Sequence, residues 1–136
     1  MAALFDLHCH STVSDGLLSP PELVAHAAKR GVKVLALTDH DDLGGLQSAR
    51  EAALEHGIQF VNGVEISVTW KRRTLHIVGL KIDIHNAPLK AALDKVRIGR
   101  DDRAQEMGTD LTRIGIHGAY EGAKALAKQS IITRTH

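Results

Sequence analysis

The sequence predicts an α/β fold built on a parallel sheet or barrel and followed by a helical segment. Strand and helix patterns alternate through the first half of the chain. The run VKVLALT at residues 32–38 is almost continuously apolar, which is typical of a parallel strand covered on both faces. From residue 87 onward the composition changes to helix formers. We expect one domain of ordinary size with an aliphatic core, because aromatic residues make up only 3% of the chain.

The first predicted strand, Phe5–Ser11, carries the sequence His8-Cys9-His10. Alternate residues of a strand point to the same face, so the two imidazoles project together and the thiol points away. Neutral imidazole is a good ligand for Zn, Mn or Fe ions. A His-x-His pair is also found among surface and core histidines, so this motif needs support from the rest of the chain.

Two helices follow with clear boundary signals. The sequence SPPE at residues 19–22 predicts a helix start that is capped by serine, and Gly31 ends this helix after Arg30. The second helix is predicted from Gly44 to His56. One side of the second helix is predicted to carry Leu46, Ala49, Ala53 and Leu54.

The next pattern predicts two neighbouring antiparallel strands. A strand over 58–67, broken at Asn62-Gly63, is followed by an exposed turn at residues 70–73 and a strand over 74–80. If the turn is centred between residues 70 and 71, Glu65 lies directly opposite His76.

The remainder is predicted to be mostly helical, with interruptions at Gly99 and Gly108, a loop at 115–118 and a short helix over 121–128. We therefore divide the chain into a part that carries the candidate ligands, residues 1–86, and a helical subdomain, residues 87–136.

Composition narrows the class of protein. The formal net charge is only +1, whereas proteins that bind extended nucleic acid usually carry a strong excess of basic residues. We therefore do not expect an extended nucleic acid as partner. Cys9 is the only cysteine, so no intrachain disulfide can form. No apolar run approaches the ~20 residues of a membrane span, and no leader sequence precedes the first strand. We expect a cytoplasmic protein without a membrane partner, in which nine histidines favour a metal or acid–base site.

Six residues follow or end the predicted strands, where parallel-sheet proteins place their sites. They are His8, His10, Asp15, His40, Glu65 and His76. Four imidazoles and two carboxylates suffice for more than one metal ion, with a carboxylate such as Glu65 bridging two of them.

Each candidate also has a structural interpretation. Asp15 could cap a turn, and His76 could be a hydrogen-bonded core histidine. For Asp41 and Asp42 we expect solvated turn or helix-cap roles. Glu65 follows an apolar run, where an unpaired carboxylate costs free energy, so a bound cation is favoured over solvent exposure.

Four segments together resemble the PHP-domain phosphoesterases, a superfamily named for its polymerase-associated and histidinol-phosphatase members. They are FDLHCHSTVSDGLLSPPELV, VLALTDHDDLGG, VNGVEISVTW and LHIVGL, in order over residues 4–80. The resemblance is greatest to 3',5'-nucleoside bisphosphate phosphatases, in which a TRTH segment such as residues 133–136 also occurs.

The resemblance implies a distorted (β/α)7 barrel with a trinuclear site, whose metal ligands fall on the same six residues. It further implies phosphate binding by Arg134, Arg103 and His136. Family members are about twice as long and have further ligands in later strands. We therefore expect a partial barrel, which is a fragment, a truncated gene product, or a chain that completes its site in another way.

The resulting hypothesis is a metal-dependent phosphatase that removes the 3'-phosphate of a 3',5'-nucleoside bisphosphate, with two to three divalent ions (Mn, Zn or Fe) as cofactors. A hydroxide bridging two ions would attack phosphorus. The alternatives are a histidinol-phosphatase-like or 3'-exonuclease activity, a metal-binding fragment without catalysis, and a structural module that uses an open strand edge.

Overall fold

The computed structural model describes residues 4–127, 132–133 and 136, and eight elements lie within them. They are β1 Leu4–Cys9, α1 Pro20–Lys29, β2 Val32–Leu37, α2 Leu46–Glu55, β3 Gln59–Trp70, β4 Arg73–Leu80, α3 Ala87–Arg113 and α4 Ala119–Ala127. The predicted α/β class and the alternation of strands and helices in the first half are confirmed.

One sheet contains the four strands in the order β1-β2-β3-β4. β1 pairs with β2 and β2 with β3 in parallel, whereas β3 and β4 form an antiparallel hairpin. The carboxyl ends of β1 and β2 therefore meet at one edge of the sheet, beside the middle of the long strand β3.

The two connecting helices pack against each other on the sheet, and their small and aliphatic side chains form the core with β2. Val24, Leu35, Leu37 and Leu46 are almost fully buried there. The predicted buried side of α2 is correct except for Leu54, which is 83% exposed. Leu54 lies eight residues after Leu46, which is about 80° around the helix, so its side chain leaves the buried face. Ala52 is buried in addition to Ala49 and Ala53.

The predicted break of the third strand at Asn62-Gly63 is wrong, because β3 is continuous over twelve residues. Gly63 is instead a point of close packing. A Cβ at this position would lie 2.6 Å from Thr38 Cγ2 and 2.9 Å from the carbonyl oxygen of Leu37. The glycine lets β3 approach the end of β2.

The hairpin has a two-residue turn, Lys71-Arg72, in which both residues have positive φ, 45° and 65°. Such a turn matches the twist of the flanking strands. Trp70 consequently pairs with Arg73, and Ser67 rather than Glu65 lies opposite His76. The predicted register was wrong by two residues, but a shift of two keeps a side chain on the same face.

Helix α3 is continuous over 27 residues, so the predicted interruptions at Gly99 and Gly108 are wrong. Gly108 permits close packing of α4, since a Cβ there would lie 2.7 Å from Tyr120 Cβ. The predicted loop at 115–118 is confirmed, with positive φ at Gly115 and Gly118. Among the described residues, no helix is both long enough and apolar enough to cross a membrane.

We expect Gly63→Ala to lower the free energy of unfolding by about 1–3 kcal/mol, because the added methyl group collides with the backbone of β2. Urea denaturation measures this change. The matched control is Gly122→Ala on α4, where the methyl group meets no atom within 4 Å and alanine favours the helix. Equal effects of the two substitutions would contradict the packing role of Gly63.

Candidate metal centre

The six candidate ligands converge at the carboxyl edge of the parallel strands. They form three overlapping groups in which the potential ligand atoms lie within 4.8 Å of one another. The groups are His8, His10 and Glu65; His10, Asp15 and His40; and His40, Glu65 and His76. The strands thus bring together all six residues that the sequence analysis selected as candidates.

Glu65 is the centre of this cluster. Its Oε2 atom lies 2.9 Å from His8 Nε2 and 3.0 Å from His10 Nε2, and its Oε1 atom lies 2.9 Å from His76 Nδ1. His40 Nδ1 is 3.7 Å from Oε2. The side chain of Glu65 is only 7% exposed, which excludes the solvent-exposed alternative.

Asp15 closes the other side of the cluster from the loop after β1. Its carboxylate oxygens lie 3.6 Å from His10 Nδ1 and 3.6 Å from His40 Nε2. His10 and His40 therefore each face Glu65 with one ring nitrogen and Asp15 with the other. Their rings are 4.6 Å apart between centroids.

The electrostatics favour the ligand forms of these side chains. Burial acts to raise the pKa of Glu65, but the hydrogen bond with His8 and the electrostatic interactions with His40, His10 and His8 outweigh it and lower the pKa. Burial lowers the pKa of His40 below its ordinary value, although Glu65 and Asp15 oppose the shift. An ionised carboxylate beside a neutral imidazole is a suitable pair of donors for a divalent ion.

The donor set fits divalent metal ions. Among the described residues, His40 Nδ1 is a buried side-chain nitrogen without a hydrogen-bond partner. A buried polar atom without a partner costs free energy, and a metal ion at this position removes that cost. The mixture of imidazole nitrogen and carboxylate oxygen suits Zn, Mn and Fe.

Asp39 supports the cluster without belonging to it, a role that the sequence analysis missed. Its buried carboxylate accepts hydrogen bonds from the Ser11 backbone N–H at 2.7 Å and from the hydroxyls of Ser11 and Ser14, both at 2.6 Å. These bonds fix the loop between His10 and Asp15. Asp39 follows an apolar run, as Glu65 does. The cost of burying a carboxylate could therefore have indicated from the sequence that Asp39 has partners in the fold.

Asp41 supports the cluster from the opposite side, and the expectation that it is a solvated turn or cap residue is wrong. Its side chain is fully buried. Its backbone N–H donates to the carbonyl oxygen of Glu65 at 3.0 Å, and its carboxylate accepts from the Ser67 N–H at 2.7 Å. The carboxylate also pairs with Arg100 of α3 at 2.7 Å.

Two contacts fix α3 to the end of β2. Besides the pair of Arg100 with Asp41, Arg97 Nη1 lies 2.7 Å from the carboxylate of Asp42. Asp42 is partly exposed and also accepts from the Gly44 N–H. Neither arginine was selected from the sequence, because no local pattern links residues almost 60 positions apart.

A cavity of about 660 Å³ opens beside the six candidate ligands, which are called the metal cluster below after the ions that they would hold. Asp15, His40 and His76 line one end, and side chains of α3 and α4 line the other. The predicted phosphate-binding residues Arg103 and His136 also line it. The third, Arg134, lies outside the described residues.

Cys9 points away from the cluster, as the strand pattern predicts. Its thiol donates to the carbonyl oxygen of Ala36 at 3.2 Å and contacts the core. Burial, with smaller contributions from Asp6 and Asp39, raises the pKa of the thiol to about 12. The cysteine is therefore neither a ligand nor a nucleophile at this site.

The chain belongs to the PHP domain family, whose model matches residues 6–128. The expected fold, a partial barrel of the PHP type, is thereby confirmed. The part that this chain contains is the four-stranded sheet with its helices.

Similar proteins include a 3',5'-nucleoside bisphosphate phosphatase of Chromobacterium violaceum, 50% identical over 98% of this chain and 47% of its own. A 5'-3' exoribonuclease of Haemophilus influenzae is 50% identical over 100% of this chain and 49% of its own. A solved structure from Chromobacterium violaceum is described as an amidohydrolase with bound sulfate and no metal. It matches this chain with a TM-score of 0.93 and 50% identity, and the match covers 98% of this chain and 48% of the solved chain. The chain spans about half the length of these relatives.

We expect Asp39→Asn to weaken metal binding about 10- to 100-fold, although residue 39 is not a ligand, because the amide keeps only one of the two buried acceptor oxygens that hold the loop carrying Asp15. Competition with a chromophoric chelator measures the affinity for Zn or Mn. Asp110→Asn on the exposed surface of α3 is the control for loss of one negative charge. An unchanged affinity in Asp39→Asn, with circular dichroism showing a folded protein, would contradict the supporting role.

Proposed function

We propose that this chain carries the metal-binding part of a phosphoesterase that hydrolyses a nucleotide phosphomonoester, the 3'-phosphate of a 3',5'-nucleoside bisphosphate. The observation that carries this proposal is the cluster of four imidazoles and two carboxylates beside an open cavity. Membership of the PHP family and the name of the Chromobacterium violaceum relative support the reaction class and the substrate.

The three groups of ligand atoms indicate how two to three divalent ions would be held. His8, His10 and Glu65 would bind one, Glu65 and His76 a second, and Asp15 with His40 a third. Such ions supply a water of lowered pKa and positive charge at the phosphoryl group. The chain's own part is to hold the carboxylate of Glu65 ionised and shared between groups, and to keep His40 neutral.

The cavity supplies the substrate side of the proposal. Arg103 and His136 line it together with three of the candidate ligands, so an anionic group at the metal cluster lies within the same space. Arginine can make two charge-assisted hydrogen bonds to phosphate oxygens. We assign Arg103, His136 and Arg134 to phosphate binding, and we treat residues 87–136 as the helical subdomain that completes the cavity.

A second candidate substrate is RNA, because the Haemophilus influenzae relative of equal identity is named an exoribonuclease. The formal charge of +1 favours the small molecule over a long polymer. Phosphate release from 3',5'-bisphosphoadenosine, compared with release from histidinol phosphate and nucleotide release from short oligoribonucleotides, distinguishes these substrates.

We expect Glu65→Gln to remove at least one bound ion and to reduce phosphate release by more than about 100-fold, because the amide keeps the shape but loses the charge shared by two ligand groups. Metal content after reconstitution with Mn or Zn is measured by mass spectrometry, and phosphate release by a colorimetric assay. Glu55→Gln, on the exposed end of α2, is the matched control.

Three results of this experiment are distinguishable. Bound metal with phosphate release that depends on Glu65 supports the proposal. Bound metal without turnover of any substrate contradicts catalysis by this chain and leaves a metal-binding fragment. Absence of bound metal in the reconstituted parent protein contradicts both.

A further inference from the structure

A second, smaller groove of about 340 Å³ lies between the β3–β4 hairpin and α3. It shares Ser67, Thr74 and Arg103 with the cavity at the metal cluster, so the two spaces are contiguous. Its other lining residues are Val68, Thr69, Lys95, Val96 and Gly99. A molecule larger than one phosphate can therefore extend from the metal cluster into this groove.

The hairpin presents hydroxyl groups to this groove. Ser67 pairs with His76 and Thr69 pairs with Thr74 across the two strands, and the pleat puts all four side chains on one face. The pair of threonines lies two residues beyond the pair that contains His76. This is a distance of about 7 Å along the strand.

The opposite wall carries two cations. Lys95, Gly99 and Arg103 follow one another at intervals of four residues, so they share a face of α3. Gly99 leaves that face open, since the nearest atom to an added Cβ is Arg103 Nη1 at 3.8 Å.

The two cations differ from their neighbours on the same helix. Arg97 and Arg100 are neutralised by aspartates at the end of β2. In the described part of the chain, no carboxylate oxygen lies within 4.0 Å of the charged nitrogens of Lys95 or Arg103. Within the described ranges, the groove therefore has two cations without a carboxylate partner.

We propose that this groove is an anion subsite for a second phosphate of the substrate, the one that is not cleaved. Lys95 binds its charge together with Arg103, which lines both spaces and so lies between the two phosphates. Thr69 and Thr74 donate hydrogen bonds to its oxygens. The assignment of the uncleaved group rests on the function proposed above. With the 3'-phosphate at the metal cluster, the ribose spans the junction of the two spaces, and the 5'-phosphate occupies the groove.

Binding of adenosine 5'-phosphate tests the subsite without turnover, since this probe has the distal phosphate and lacks the one that is cleaved. In chelator-treated protein, equilibrium dialysis should show adenosine 5'-phosphate binding at least about tenfold more tightly than adenosine. Lys95→Ala should abolish most of this difference. Lys90→Ala is the matched control, because Lys90 is an exposed lysine of the same helix that lines neither space.

The outcomes separate this inference from the proposed function. If the Mn-loaded protein releases phosphate from 3',5'-bisphosphoadenosine but Lys95→Ala binds adenosine 5'-phosphate as the parent does, the subsite is overturned and the function stands. A loss specific to Lys95→Ala without turnover of any substrate supports the subsite and overturns the function. Equal binding of adenosine and its 5'-phosphate by the parent protein overturns the subsite.

Binding of a dinucleoside monophosphate shows whether the groove accepts a terminal phosphate only or also a phosphodiester. If it replaces adenosine 5'-phosphate with equal affinity, and Lys95→Ala weakens both, the groove accepts the phosphodiester of a polynucleotide as well. If it binds no better than adenosine, the groove takes a terminal phosphate. Either pattern supports an anion subsite that depends on Lys95.

Discussion

Burial of the Glu65 carboxylate is the constraint on which the rest of this structure depends. A carboxylate removed from water and left alone would cost several kcal/mol, so it has to be compensated where it lies. Four imidazoles surround it, and they come from the ends of β1 and β2 and from β4. The strand order β1-β2-β3-β4, with Glu65 on the third strand, brings all of them to one carboxylate. The site and the topology are therefore specified together.

Three consecutive residues that follow Thr38 at the end of β2, residues 39–41, hold this arrangement in place. His40 points into the cluster, whereas Asp39 binds the loop that follows β1 and Asp41 binds β3 and α3. In a regular strand the two aspartates would point to the same side. The positive φ of Asp41, 53°, turns its carboxylate toward β3 and Arg100 instead. A local departure from strand geometry thus allows one short segment to fix two neighbouring parts of the site.

The elements and candidate ligands could be predicted because they depend on local patterns. Strand alternation placed His8 and His10 on one face, and apolar runs followed by polar residues located His40 and Glu65. The register of the hairpin and the continuity of α3 could not be predicted in the same way. The register depends on the backbone conformation of the turn residues Lys71 and Arg72, and the continuity of the helix depends on that of Gly99 and Gly108. Tertiary packing decides these conformations.

The pairing of Arg100 with Asp41 was beyond sequence reasoning for a different reason. A long-range ion pair has no periodicity, and charged residues near turns are usually solvated. The same limit applies to Ser11 and Ser14, whose hydroxyls serve a carboxylate 25 or more positions away. The sequence alone indicates that a carboxylate after an apolar run is costly to bury. This cost implies that the carboxylate has binding partners in the fold, but it does not identify the partner residues.

The position of Cys9 between two histidines has a consequence for metal selectivity. Thiolate is a soft ligand that favours Cu(I), whereas imidazole and carboxylate accept harder ions. The pleat of β1 turns the one sulfur of this segment into the core, where it bonds to Ala36. A slip of β1 by one residue would exchange the two faces and present sulfur in place of two nitrogens. The register of a single strand therefore also keeps a soft sulfur ligand out of the candidate metal centre.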